Sequence, residues 1–142
     1  MVNRTSISPQ ANPDLTVTLP DGSTGHMPGK IAQAYEALGG RVIYFGKPYA
    51  PAFAEALALL GPEVDPSRVL HVGDSLMHDV AGAAAAGIHS LFVAGGIHAQ
   101  ELGVPDAAAE GATGGELSAD SLEQIFADYG VRPTLSTPAF RW

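Results

Sequence analysis

Short apolar runs alternate with helical stripes along most of the chain. Leu15, Val17 and Leu19 alternate with polar neighbours, the period of a half-exposed strand, and Pro20-Asp-Gly-Ser-Thr-Gly25 follows as a turn. His26-Met-Pro-Gly29 leads into a helix with the stripe Ile31, Ala34, Tyr35 and Leu38, ended by Gly39-Gly40. Val42 to Phe45 is a buried-strand pattern closed by Gly46, and Pro48 holds back the next helix, whose stripe is Phe53, Leu57 and Leu60. Val69, Leu70 and Val72 form a second such strand, broken by Gly73. From Leu76 a helix places Val80, Ala84 and Ile88 on one face. His89 to Ala94 reads as a third strand, closed by Gly95-Gly96. Ile97 to Leu102 is a short helix, and Asp106 to Gly115 is irregular. Ser118 caps a last helix with the stripe Leu122, Ile125, Phe126 and Tyr129, stopped by Gly130. Residues 1–11 and the tail from Arg132 show no pattern. They predict a loose start and a polar tail whose Phe140 and Trp142 are available to pack back on the domain or on a partner.

Strands near 42–45, 69–72 and 89–93, each followed by a helix, predict an α/β fold. It is a three-layer arrangement with right-handed crossovers and a parallel sheet covered by helices, half of a doubly wound, Rossmann-type core. At 142 residues the chain has room for one ordinary domain. A net charge of −8 with only seven Lys and Arg argues against nucleic acid or an anionic membrane as a partner. It does not argue against a small phosphate ligand, which needs one local cation. No apolar run reaches membrane-spanning length and no basic-plus-apolar signal segment is present, so the cytoplasm is the expected compartment. Without cysteine there is neither a disulfide nor a zinc–thiolate site.

The chemistry gathers at strand ends. Asp74 stands where the second strand stops, and Asp79, five residues on, is about one helical turn further and points back to the same end. Two readings hold here. Asp74 is a turn and helix-capping residue, or the two carboxylates hold a hard cation such as Mg²⁺, with water and phosphate completing its shell. Lys47 stands just past the first strand. Alone it is an exposed cation. If the two strands are parallel neighbours, it emerges at the same edge as Asp74, and a lysine with acids and Mg²⁺ is a phosphoryl-binding set. The five histidines show no zinc-ligand spacing. His71 fits a satisfied ring within a strand, and His98, after the third strand, is the one to follow. Gly95-Gly96 either admits a ligand close to backbone or turns the chain.

Phe45-Gly-Lys-Pro48 and Val72-Gly-Asp-Ser-Leu-Met-His-Asp79 resemble the third and fourth motifs of the haloacid dehalogenase (HAD) superfamily. Asn12-Pro-Asp14, Gly29, Ala85-Ala-Gly-Ile88 and Val93-Ala-Gly-Gly96 resemble its class IIA branch, the NagD-like phosphatases. The resemblance implies that Lys47 holds the phosphoryl group, that Asp74 is a Mg²⁺ ligand, and that Asp79 binds a metal water or orients Lys47. It implies that Gly73 lets backbone approach the metal and gives Asn12 and Asp14 a substrate role. The family's first motif, Asp-x-Asp-Gly, carries the attacking carboxylate, and no Asp-x-Asp occurs in this sequence. The second motif, a Ser or Thr at a strand end, is also absent. The resemblance therefore covers the C-terminal part of such a protein. Residues 1–27 would be a remnant of the cap–core connection, and 28–142 the C-terminal half of the core. The sheet would be incomplete, with an exposed edge prone to self-association. The expected function is Mg²⁺-dependent hydrolysis of small phosphorylated metabolites, with this chain inactive alone. The alternatives are a non-catalytic phosphate- or Mg²⁺-binding domain and, less fitting because Lys47 precedes the acids, a receiver-like regulatory domain.

Overall fold

The computed structural model describes residues 7–19, 23–105 and 115–140. Of the expected turn at Pro20–Gly25, residues 20–22 lie outside them, while Thr24 and Gly25 are strand; residues 106–114 of the expected irregular stretch and the packing of Trp142 also lie outside. The chain falls into two compact units, Met1–Glu55 and Ala56–Trp142.

In the first unit, β1 (Ile7–Gln10) pairs in parallel with β4 (Arg41–Tyr44), in register from Ile7 opposite Arg41 to Gln10 opposite Tyr44. The expected loose start is thus corrected: Ile7 to Gln10 is a strand. Its sequence hides it, because it holds one large apolar residue and a proline that cannot donate to a ladder. Pro9 is tolerated because, among the described residues, β1 pairs with β4 alone and so is an edge strand. The alternating run at 15–19 becomes β2 (Thr16–Thr18), hairpin-paired with β3 (Thr24–His26). The helix α1 (Pro28–Ala37) forms as expected but turns differently. Gly29 and Ala32 are its buried residues, and Ile31 is 74% exposed. Small residues let a helix approach a sheet closely, and that gain has displaced the bulkier stripe.

The helix α2 (Ala50–Leu60) spans the division between the units; Phe53 is buried, whereas Leu60 is exposed. In the second unit a 3₁₀ turn, Pro66–Arg68, is capped by the Asp65 carboxylate, which accepts the Ser67 N–H at 2.9 Å. There follow β5 (Leu70–Gly73), a π-helical turn (Leu76–Val80), α3 (Ala81–Ala85), β6 (His89–Val93), α4 (Ala99–Leu102), α5 (Ala119–Tyr129) and β7 (Leu135–Thr137). The sheet order is β5-β6-β7, with both pairings parallel. The tail, expected to be polar and without pattern, supplies β7, a short strand from a Leu-Ser-Thr sequence without apolar alternation. Among the described residues β4 pairs with β1 in the first unit, and β5 with β6 in the second.

The core of the second unit joins Leu76 and Val80 of the π turn, Phe92 and Ala94 at β6, and Ile125 and Phe126 of α5. Phe92 meets Phe126 edge to face, with centroids 5.9 Å apart. The buried stripe continues from Leu76 and Val80 to Ala83, which is fully buried, whereas Ala84, expected on that face, is exposed.

Phe92 is 0% exposed, so Phe92→Ala should cost about 3–5 kcal/mol, most of the stability of a marginal domain. Leu59 is 82% exposed, and Leu59→Gln should shift stability by no more than about 0.5 kcal/mol. Urea unfolding followed by circular dichroism measures both. Equal losses for the two variants would mean that the core lies elsewhere.

Candidate functional site

The end of β5 is built around a buried acid. Asp79 is 2% exposed, and both its oxygens are engaged. Oδ1 accepts from His71 Nε2 at 2.8 Å, and Oδ2 accepts the Ser75 N–H at 3.0 Å. A buried carboxylate is costly unless its lone pairs are met, and here a side chain from β5 and a backbone amide meet them. Gly73 makes the packing possible: a Cβ there would collide with the Asp79 carboxyl group.

The two readings of Asp74 separate. The capping role belongs to Ser75, whose Oγ accepts the His78 N–H at 3.1 Å. Asp74 reaches instead to the turn after β6, where its Oδ2 accepts the Ile97 N–H at 3.0 Å. Gly96 is required beneath it, since a Cβ would overlap the Asp74 carboxyl. Gly95-Gly96 therefore turns the chain and also seats this acid. Among the described residues Asp74 makes no other hydrogen bond, so its second oxygen is left for a ligand.

The π turn is held from two sides. The Ser75 carbonyl accepts from both Asp79 N–H (2.8 Å) and Val80 N–H (3.1 Å). From the other side, His98 Nε2 accepts the Leu76 N–H at 3.4 Å, while its Nδ1 faces Glu101 Oε2 at 2.9 Å. An acceptor at Nε2 and a donor at Nδ1 is the neutral ring in one tautomer. His98 is 5% exposed, with its ring against Phe92 and edge-on to Tyr129. Burial, then the Glu101 carboxylate, raises the Tyr129 hydroxyl above its ordinary value and keeps it a donor. His98, singled out in the sequence only for its position, proves to brace the turn that carries Asp79. No residue pattern marks His71 as a partner of Asp79 beyond its place in β5.

Lys47, Asn12 and Asp14 belong to the first unit, Asp74 and Asp79 to the second. Lys47 follows β4, and Asn12-Pro-Asp14 follows β1, so the parallel pairing brings all three to one carboxyl rim. The Phe45 N–H donates to the Gln10 carbonyl at 2.8 Å, extending the pairing to that rim. Asn12 Oδ1 accepts the Asp14 N–H at 3.0 Å, and the Asp14 carbonyl accepts the Gly29 N–H at 3.0 Å. Gly46 lies flush against this loop, leaving no space for a side chain beside Pro13 and the Ala11 carbonyl.

Among the described residues no three His, Asp or Glu side chains gather as a ligand cluster. Mg²⁺ does not require one, since it is commonly held by one or two carboxylates with water and phosphate completing the octahedron. The donor set here fits that pattern. Asp74 has one oxygen anchored and one left over, which suits a direct ligand. Asp79, with both oxygens engaged, suits an outer role through water.

Among curated proteins none matches this chain. Solved structures do. A haloacid dehalogenase-like hydrolase from Brucella suis 1330 is 32% identical over 97% of this chain and 45% of its own, with a TM-score of 0.63. A p-nitrophenyl phosphatase from Archaeoglobus fulgidus is 27% identical over 90% of this chain and 41% of its own, with a TM-score of 0.62. A possible sugar phosphatase of the HAD superfamily from Cytophaga hutchinsonii ATCC 33406 is 26% identical over 99% of this chain and 44% of its own, with a TM-score of 0.67. The chain thus spans less than half the length of each. A family model described as HAD-hydrolase-like matches residues 44–131, from the last residue of β4 through α5 and so across Lys47, Asp74 and Asp79. With more than half its length inside that match, the chain belongs to the HAD-hydrolase-like family.

Proposed function

We propose that this chain is the part of a Mg²⁺-dependent phosphatase that holds the cation and the phosphoryl group of a small phosphomonoester. The observation that carries the reading is Asp74: a carboxylate at the carboxyl end of a parallel strand, fixed through one oxygen by the Ile97 N–H and left with the other for a ligand. Asp79 orders the backbone that presents Asp74 and accepts from a metal-bound water. Lys47 supplies a compact positive charge for phosphate oxygens. Asn12 and Asp14, on the same rim as Lys47, line the path of the substrate's alcohol. When bound, Mg²⁺ neutralises phosphate charge and polarises the phosphorus–oxygen bonds. The attacking carboxylate is not among these residues, since the sequence has no Asp-x-Asp, and we assign it to a segment outside this chain. A non-catalytic phosphate- and Mg²⁺-binding domain is the second reading. It uses the same residues and is favoured by the same missing motif.

Calorimetric titration with Mg²⁺ should give saturable binding that Asp74→Asn weakens at least about tenfold, the loss of one charged ligand. Gly96→Ala should do the same by displacing the carboxyl. An Asp74→Asn titration indistinguishable from the parent overturns the metal assignment. Inorganic phosphate should bind in the presence of Mg²⁺, and Lys47→Ala should weaken it by about tenfold, with a shallower salt dependence. The chain alone should release no phosphate from p-nitrophenyl phosphate. Turnover by a polypeptide extended with an Asp-x-Asp-Gly segment separates the phosphatase from the purely binding domain.

A further inference from the structure

The turn that carries Lys47 also carries an aromatic surface that no role above uses. The Tyr49 N–H donates to the Gly46 carbonyl at 3.0 Å, closing the four-residue turn Gly46-Lys47-Pro48-Tyr49. The Tyr49 ring lies flat on that of Tyr44, with centroids 4.8 Å apart and planes 12° from parallel. Tyr44 is itself fixed. Its hydroxyl donates to Glu36 Oε2 at 2.9 Å, and burial, then the Glu36 carboxylate, keeps that hydroxyl above its ordinary pKa and protonated. So the floor of the stack is tied to α1, while Tyr49 above it is 42% exposed. Among the described residues the Tyr49 hydroxyl makes no hydrogen bond, so no polar network accounts for the ring's position.

We infer that Tyr49 is a stacking platform that selects phosphomonoesters whose alcohol carries a planar aromatic ring, with Lys47 on the same turn taking the phosphate. The inference rests on the phosphate role proposed for Lys47. A pre-stacked ring loses little freedom when a second ring lands on it, and a ring-bearing ester gains a face that an aliphatic ester cannot use. The shared chemistry is a ring joined to a phosphate. The ring is either bonded directly to the ester oxygen, as in an aryl phosphate, or held one sugar away, as in a nucleoside monophosphate.

The test is calorimetry on the 142-residue chain with Mg²⁺, using phenyl phosphate, adenosine 5′-monophosphate, glycerol phosphate and inorganic phosphate as probes. At least one aromatic ester should bind about tenfold tighter than glycerol phosphate, the worth of one stacked ring. Which of the two is preferred identifies the source of the ring. Tyr49→Leu should erase the preference and leave inorganic phosphate within about twofold, and Tyr49→Phe should keep the preference. Equal affinities for aromatic and aliphatic esters, or a preference that survives Tyr49→Leu, overturn the platform while leaving the phosphate role of Lys47 intact. Failure of every phosphate probe to bind, with Lys47→Ala indistinguishable from the parent, overturns the phosphate role and the platform with it.

Discussion

The second unit depends on one buried carboxylate. Asp79 is almost fully buried, so its carboxylate depends on the partners that meet it, His71 and the Ser75 amide among them. That requirement ties the interior of β5 to the start of the helix after it. It fixes residue 73 as glycine, because the carboxyl occupies the space of a Cβ. It also accompanies the departure from α-helical geometry, where the Ser75 carbonyl serves two amides and the turn widens by one residue. Wide turns of this kind recur at functional sites, and this one begins two residues after Asp74.

Much of this was legible in the sequence, for reasons that differ by element. The strands at 41–44, 70–73 and 89–93 and the last helix carry strong periodicity with glycine or serine at their ends, and each appears within a residue or two of its expected bounds. Ser118 and Gly130 do cap and stop α5, with Gly130 at φ 65°. What failed to show was set by partners distant in sequence. β1 and β7 are strands because β4 and β6 offer them edges, not because Ile-Ser-Pro-Gln or Leu-Ser-Thr prefers extension. The face of α1 was misjudged because hydrophobicity counts favour Ile31, whereas close packing favours Gly29 and Ala32.

The candidate site was legible as motifs but not as mechanics. Gly-Asp-x-x-x-x-Asp and Gly-Lys-Pro name the charged groups, and composition argued against partners that need a basic surface. Spacing could not say that Asp79 would be spent on internal bonds while Asp74 kept an oxygen in reserve, because that depends on Gly96 and the Ile97 amide, more than twenty residues away. Nor could it say that His98 would hold the opposite flank of the turn. A lone histidine has no period to betray it, and its role follows only from where the end of β6 returns the chain.

Charge then constrains how such a site works. The chain carries −8 overall, and the acids on the second unit would repel an incoming phosphate dianion. On the proposed reading a divalent cation removes that penalty locally, and only then does a single lysine suffice to hold the anion. Recognition of the rest of the molecule must come from something other than charge, since little positive charge remains to supply it. An aromatic surface meets that need, because stacking draws on surface contact and ring polarisation and loses little in an acidic field. On that reading, a chain this poor in cations chooses among phosphate esters by the shape of the alcohol rather than by the number of phosphates.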